Sequence, residues 1–313
     1  MASSPIHPRS FSAAPEQHPT QLSPVFPMVV AITADTAATA AIHMAYALAR
    51  ECGAIPTLVR VVHEDLAVEA AATGAMAGVP ETALDPLYRS TQLSVVYGQV
   101  QHALGELPPW HYDIEVGATI PTILSRVRAL NAELVILGLP QHNFLRRAFV
   151  RDTVQGIIEQ TDAAVLALRP DAINRPTSIL VAVDFSLSSL RAAHLACQLV
   201  APGGRIILVY VQPQVPPDSS LDATRQRADG TTALDTAFTS LIEELTSQKT
   251  LVMTSVIEHG NSIQGVKDVA QRMQPDVIAL GAHHHSAVDW FFGDSVSTNL
   301  VGERQWSLLV VPE

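Results

Sequence analysis

The chain has 313 residues, of which 48% are hydrophobic and 16% charged, with a net charge of -11 at pH 7. That length suits two domains of about 100 to 200 residues, and so little charge suits sheets covered on both faces. The acidic balance excludes a general nucleic-acid binder, which needs Lys and Arg clustered on one face. No apolar run reaches the roughly 18 residues of a spanning helix, so no membrane partner is expected.

Residues 1–24, rich in Ser, Pro, Ala, Gln and His, lack the apolar core of a secretory signal and read as a disordered tail. Strand and helix signals then alternate, which is the rhythm of a parallel sheet. In residues 25–172 the pattern predicts strand Met28 to Ile32, helix Ala37 to Cys52, strand Pro56 to Val62 and a helix from about Leu84 to Leu104. Strand Tyr112 to Val116, helix Ile120 to Leu130, and strands Leu134 to Leu137 and Ala164 to Leu168 complete this half. Punctuation by Pro170, Asn174 and Pro176 sets the boundary within Arg169 to Thr177.

Residues 173–313 repeat the order, with strand Ser178 to Asp184, helix Ser188 to Val200 and strand Arg205 to Val211. A long polar loop is expected over Gln212 to Gly230, then a helix over Thr231 to Ser247. Strand Leu251 to Ile257 leads to a helix that starts at Asn261 or Ser262, both natural N-caps, and runs to about Met273. Strands Asp276 to Leu280 and Ser307 to Val311 follow. The fold class is therefore α/β: two tandem doubly wound domains, each a five-stranded parallel sheet in expected order 3-2-1-4-5 with helices on both faces.

The halves echo each other residue by residue. Ile114-Glu115-Val116-Gly117-Ala118-Thr119-Ile120 returns as Ile257-Glu258-His259-Gly260-Asn261-Ser262-Ile263, about 143 residues later. Glu133 to Gly138 answers to Asp276 to Gly281, Asp152-Thr153-Val154 to Asp294-Ser295-Val296, and Val30 to Thr33 to Val181 to Asp184. A period this long marks a duplicated domain, not a solenoid. Cys52 and Cys197 fall in the first helix of their respective copies, and buried thiols in a reducing compartment, the cytoplasm, are the expectation.

In a doubly wound sheet, ligands bind beyond the carboxyl ends of the strands where the strand order switches. In the second half those ends carry Asp184, able to accept from a ribose or base, and Gly281, where a backbone can approach phosphate closely. Ser295 and Val296 would open the next helix, whose N-terminus favours anions. Bland readings stand beside these. Asp152 and Asp294 fit simple N-caps, Asp184 fits a capping or loop-binding carboxylate, and Gly281 fits a tight turn. The His283-His284-His285 run lacks a carboxylate or cysteine at a ligand spacing, so no metal site is expected. Arg146, Arg147 and Arg151 read as a solvated helical face or a phosphate or partner contact. No G-x-S-x-G, H-E-x-x-H or G-x-x-x-x-G-K-[ST] occurs, so no catalytic residue is nominated.

Over Ile179 to Pro312 the second half resembles a universal stress protein domain, from Val181-Ala182-Val183-Asp184-Phe185-Ser186 to Leu308-Leu309-Val310-Val311-Pro312. ATP-binding members of that family share a loop of the form G-x-x-G, nine residues, then G and Ser or Thr. The resemblance implies an adenine-nucleotide site built from Ala182, Asp184, Val211, Gly281, His283, Gly293, Ser295 and Val296, with the Val211 backbone meeting the base. His284 stands where the second glycine belongs and Asp294 where the third does, with Gly293 beside it. An aspartate beside phosphate is repulsive unless a divalent cation intervenes, so Mg2+ is expected only together with nucleotide. The first half departs further, with Thr33 for the strand-end Asp, Gln141 and Arg151 for two glycines, and Gly138 alone retained.

Three functions follow from this reading: a stress-response regulator binding ATP or a related adenine nucleotide weakly in its second half, a nucleotide-free module for a protein partner, and a slow adenine-nucleotide hydrolase. The resemblance also implies pairing through the final strands, Ala164 to Leu168 with Leu308 to Val311, as an internal pseudo-dimer, with a homodimer as the further option.

Overall fold

The computed structural model describes residues 26–33, 37–62, 81–139, 153–172, 174–212, 221–246, 251–282 and 306–312. The first half contains β1 (Phe26–Ala31), α1 (Ala37–Cys52), β2 (Ala54–Val62), α2 (Glu81–Leu104), β3 (His111–Val116), α3 (Thr119–Leu130), β4 (Leu134–Gly138) and β5 (Ala164–Leu168). A further helical segment spans 153–158. The second half contains β6 (Ser178–Ala182), α4 (Leu187–Leu199), β7 (Arg205–Gln212), α5 (Leu221–Thr246), β8 (Val252–His259), α6 (Ser262–Met273), β9 (Val277–Ala282) and β10 (Ser307–Pro312).

All of these strands join one ten-stranded sheet, ordered β3-β2-β1-β4-β5-β10-β9-β6-β7-β8. Each half is a parallel sheet with its own strands in the order 3-2-1-4-5, and the order reads the same from either edge. The halves meet where β5 and β10 pair antiparallel, Leu309 opposite Leu166 and Val310 opposite Val165. Central strands such as β4, β5 and β10 are buried on both faces, which is why the sequence writes them as continuous apolar runs. The edge strands β3 and β8 are only partly buried and carry polar residues, at alternate positions in β3 and as the pairs Thr254-Ser255 and Glu258-His259 in β8.

Two apolar layers sandwich the sheet, and each runs through both halves. One gathers Leu48, Val100, Leu166, Ala196, Phe238 and Leu309 under α1, α2, α4 and α5. The other gathers Ile123, Ile157, Val165, Val269 and Val310 under α3, the 153–158 segment and α6.

The repeat reaches into backbone conformation. The glycine closing each edge strand, Gly117 and Gly260, has φ +149° and +129°, a region side chains rarely adopt. Its amide donates to the end of the neighbouring strand, Gly117 to the Val62 carbonyl and Gly260 to that of Gln212, both at 2.9 Å. The helix that follows ends on a left-handed residue in both copies, Asn131 after α3 and Gln274 after α6. So the glycine of the sequence echo is there for conformation.

Two expectations need correction. The segment read as a loop to Gly230 is helical from Leu221, so α5 takes in Gly230. A lone interior glycine costs a helix about 1 kcal/mol, and the preceding Ala-Thr-Arg-Gln-Arg-Ala run has the propensity to absorb that. Likewise α2 begins at Glu81 and continues through Pro86. Cys52 and Cys197 form no disulfide, and Cys52 Sγ lies 3.8 Å from the Gln198 carbonyl.

The segment between the halves is fixed by one buried side chain. Arg175, 8% exposed, donates from Nε to the Leu199 carbonyl at 3.1 Å and from Nη2 to the carbonyls of Gln198 and Val200 at 2.8 and 2.6 Å. Its Nη1 reaches Glu51 Oε2 at 2.6 Å, on the last turn of α1. The guanidinium thus caps the carboxyl end of α4 and ties it to that of α1.

Candidate functional site

The switch in strand order of the second half lies between β6 and β9, and the crevice opens beyond their carboxyl ends. The ladder between β6 and β7 stops early, its last rung being the Val183 amide on the Val209 carbonyl at 2.8 Å. β7 continues to Gln212, paired on its other edge with β8. Along a strand, successive residues alternate the edge to which their N–H and C=O point. Val209 therefore turns its groups toward β6, Tyr210 toward β8, and Val211 again toward β6, now past the last rung. The Val211 backbone donor and acceptor face the crevice. Its side chain packs instead on α6, where Gly265 lets the helix approach; a Cβ there would lie 2.9 Å from both Val211 methyls.

Ala182 ends β6, and the exposed Asp184 follows two residues later. Phe185 takes φ 62°, a left-handed turn that costs a bulky residue about 1 kcal/mol or more. The turn is held from both ends. Asp184 Oδ1 accepts from the Ser186 amide at 2.9 Å and from its hydroxyl, and the Phe185 ring packs on Phe238 and Tyr210 with centroids 5.3 and 6.0 Å away. Ser186 is the N-cap of α4, its Oγ accepting from the Ser189 amide at 3.3 Å. The Asp184 amide donates to Ser189 Oγ at 3.3 Å.

Partial burial pushes the Asp184 carboxyl upward, but hydrogen bonds from the Ser186 and Ser189 hydroxyls and from the Ser186 and Asp184 amides together outweigh it and hold the group below its ordinary value. Asp184 is thus an anion fixed in direction at the mouth of the crevice. A carboxylate has about four lone-pair directions, so it keeps acceptor capacity for a hydroxyl or amino group of a ligand.

Gly281 stands at the end of β9, against the first turn of α4. A Cβ there would lie 2.3 Å from the Ser189 nitrogen, 2.4 Å from the Ser188 carbonyl carbon and 2.8 Å from Ser188 Oγ. Close packing by α4 therefore accounts for glycine at this position. The structure brings Asp184 and Gly281 together through Ser188 and Ser189, with Ala182 and Val211 on the flanking strands. His283, Gly293, Ser295 and Val296, with His284, His285, Asp294 and Asp152, lie outside the described residues, as do Gln141, Arg146, Arg147 and Arg151. Sequence reasoning missed the Ser186–Ser188–Ser189 set and the Phe185–Tyr210–Phe238 wall. The Asp-x-Ser-x-Ser-Ser run from Asp184 to Ser189 was the available signal for a capped helix start.

The first half repeats the frame with other residues. Ile32 N–H donates to the Val59 carbonyl at 3.0 Å, the counterpart of Val183 on Val209. Thr33 is then the counterpart of Asp184, Arg60 of Tyr210 and Val61 of Val211. The Thr33 carbonyl accepts from Gln99 Nε2 at 3.0 Å. Among the described residues, no three His, Cys, Asp or Glu side chains cluster as metal ligands would, and no helix is long and apolar enough to cross a membrane.

A doubly wound sheet with its crevice at the strand switch defines the class as a tandem α/β protein with paired strand-end sites. The family model for the universal stress protein family matches residues 26–169 and again 177–312. The chain belongs to the universal stress protein family, with two copies of its domain. Among solved structures it is similar to a universal stress protein from Archaeoglobus fulgidus, at 13% identity and a TM-score of 0.58 over 94% of this chain and 98% of that one. It is also similar to a protein described as a universal stress protein from Pseudomonas aeruginosa, at 16% identity and a TM-score of 0.54, over 92% and 93% of the two chains. At such identities the likeness is one of fold. No curated protein is similar enough to this chain to count as a relative.

Proposed function

We propose that the protein is a regulatory, stress-response member of its family whose second half binds an adenine nucleotide, with the adenosine end in the crevice beyond β6 and β7. The observation that carries this reading is the pair of oriented groups there: the Asp184 carboxylate, aligned by Ser186 and Ser189, and the Val211 backbone past the last rung. The first supplies acceptors for ribose hydroxyls. The second supplies the adjacent donor and acceptor that match an adenine edge. Mg2+ enters only together with the nucleotide.

Calorimetric titration of the full chain with ATP, with and without magnesium, tests this against Asp184→Asn, which keeps the shape and removes the charge. Saturable binding that weakens about tenfold, or about 1.4 kcal/mol, in the variant is the expected result. The Gly281 geometry favours a second reading, a nucleotide-free interaction module, because the packing of α4 explains that glycine without any phosphate. Absence of binding at millimolar ATP selects the module. Release of inorganic phosphate from ATP, lost in Asp184→Asn, would select slow hydrolysis instead.

A further inference from the structure

The first half has its own polar anomaly, away from the groups just described. Besides Arg126 Nε, which lies 3.1 Å from Glu115 Oε1, three side-chain atoms of this half are sealed from solvent with no hydrogen-bond partner among the described residues: Arg60 Nη1 on β2, and Gln92 Oε1 and Gln99 Oε1 on α2. On a helix, positions i, i+4 and i+11 fall within about 40° of one another. Gln92 and Gln99 therefore share a stripe with Tyr88, which is 9% exposed.

That stripe is brought to the strand ends by contacts at three levels. Tyr88 lies near enough to the Arg60 guanidinium to act on its charge. Arg89, the next residue, donates from Nη1 to the Ile114 carbonyl, and Ile114 is paired with Arg60 across β2 and β3. Gln99 donates to the Thr33 carbonyl at the end of β1. Burial penalises the charge of Arg60, and among the described residues no carboxylate pairs with it. The nearby Glu115 lies 3.1 Å from Arg126 Nε and 3.9 Å from Arg89 Nη1.

A half-buried cation with one orphaned nitrogen and two orphaned buried carbonyls are each unfavourable. Together they are complementary to one kind of molecule. The second half shows the contrast: at the counterparts of Thr33 and Arg60 it carries Asp184 and Tyr210, so the paired sites have exchanged an anion for a cation.

We propose that α2 and the ends of β1 and β2 together bind a small anion that also carries hydrogen-bond donors, such as a hydroxylated phosphate ester. Arg60 Nη1 holds the anionic group, and the carbonyls of Gln92 and Gln99 accept from the hydroxyls. The site is independent of the nucleotide reading of the second half.

The test titrates the full chain calorimetrically with glycerol 3-phosphate and with inorganic phosphate, and follows melting temperature with each. Saturable binding and a raised melting temperature are expected for glycerol 3-phosphate, with affinity at least tenfold weaker in Arg60→Met. Gln92→Leu weakens glycerol 3-phosphate more than inorganic phosphate, and Asp184→Asn leaves both titrations unchanged. Without ligand, Arg60→Met melts at or above the wild-type temperature, since it removes a half-buried charge with an unpartnered nitrogen. Failure of both probes to saturate, binding unaltered in Arg60→Met, or a ligand-free Arg60→Met that melts well below wild type would overturn the proposal and make Arg60 a structural residue.

Discussion

Arg175→Met removes the cap that joins the two halves while keeping most of the side-chain volume. In the wild type the guanidinium serves three carbonyls at the end of α4, those of Gln198, Leu199 and Val200, at 2.6 to 3.1 Å. Hydrogen bonds to a charged donor contribute about 1.5 to 3 kcal/mol each, and water entering at the partly exposed Gln198 recovers part of what is lost. The Glu51 contact adds little, about 0.5 kcal/mol, because that carboxylate is 49% exposed. A loss of about 3 to 4 kcal/mol is therefore expected, nearly all of it from the carbonyls. Equilibrium urea unfolding measures it, and a cycle with Glu51→Gln separates the two parts. Arg175→Lys, a point charge in place of a fork, satisfies one carbonyl and falls between. A loss below about 1 kcal/mol, or one that vanishes in the Glu51→Gln background, refutes the assignment of stability to the helix cap.

Two glycines carry predictions of opposite sign. Gly281→Ala drives a Cβ into the backbone of Ser188 and Ser189 and costs about 3 kcal/mol, whereas Gly98→Ala on α2, with nothing within 4 Å, gains about 0.5 to 1 kcal/mol of helix stability; thermal unfolding of the two variants side by side reads both. Asp184 makes stability depend on pH: its folded pKa lies below the ordinary 3.8, so its contribution is complete above that value and lost as pH falls through the lower, folded one. Acid titration should show wild type more stable than Asp184→Asn above about pH 4, with the two converging below it, and a gap that persists unchanged into acid would sink the argument.

What the sequence disclosed follows the range of the interaction. Buried strands announce themselves because a strand covered on both faces must be apolar throughout, as Leu134 to Leu137 and Leu308 to Val311 are. The glycine echo was visible because Gly117 and Gly260 answer a local demand on φ. The helix start capped by Asn261 was legible for the same reason. The start of α5 was not, since Gly230 resembles a terminator and only the surrounding propensity argues otherwise. Nothing local marks Arg175 as a cap for residues about 24 positions away, or Gly281 as the seat of a helix about 90 residues earlier in the chain. Those are tertiary facts, and they decide how the candidate site is read: Gly281 suggested phosphate by type, and by contact it makes room for α4.

Fusing two copies in one chain changes what each position can become. In a symmetric dimer every substitution appears twice, so both sites must change together; in a tandem chain each changes alone. Positions that cannot diverge are those held by shared burial. Leu166 and Leu309 face each other across the β5–β10 pair, essentially sealed from solvent, and a polar group at either would lie unpaired in the common core. The strand ends are under no such constraint, because their side chains border the crevices. There the first half carries Thr33 and Arg60 where the second carries Asp184 and Tyr210, on backbones held by the same rung at 3.0 and 2.8 Å. One framework thus carries a cationic strand end in one half and an anionic one in the other, on side chains that contribute nothing to joining the halves.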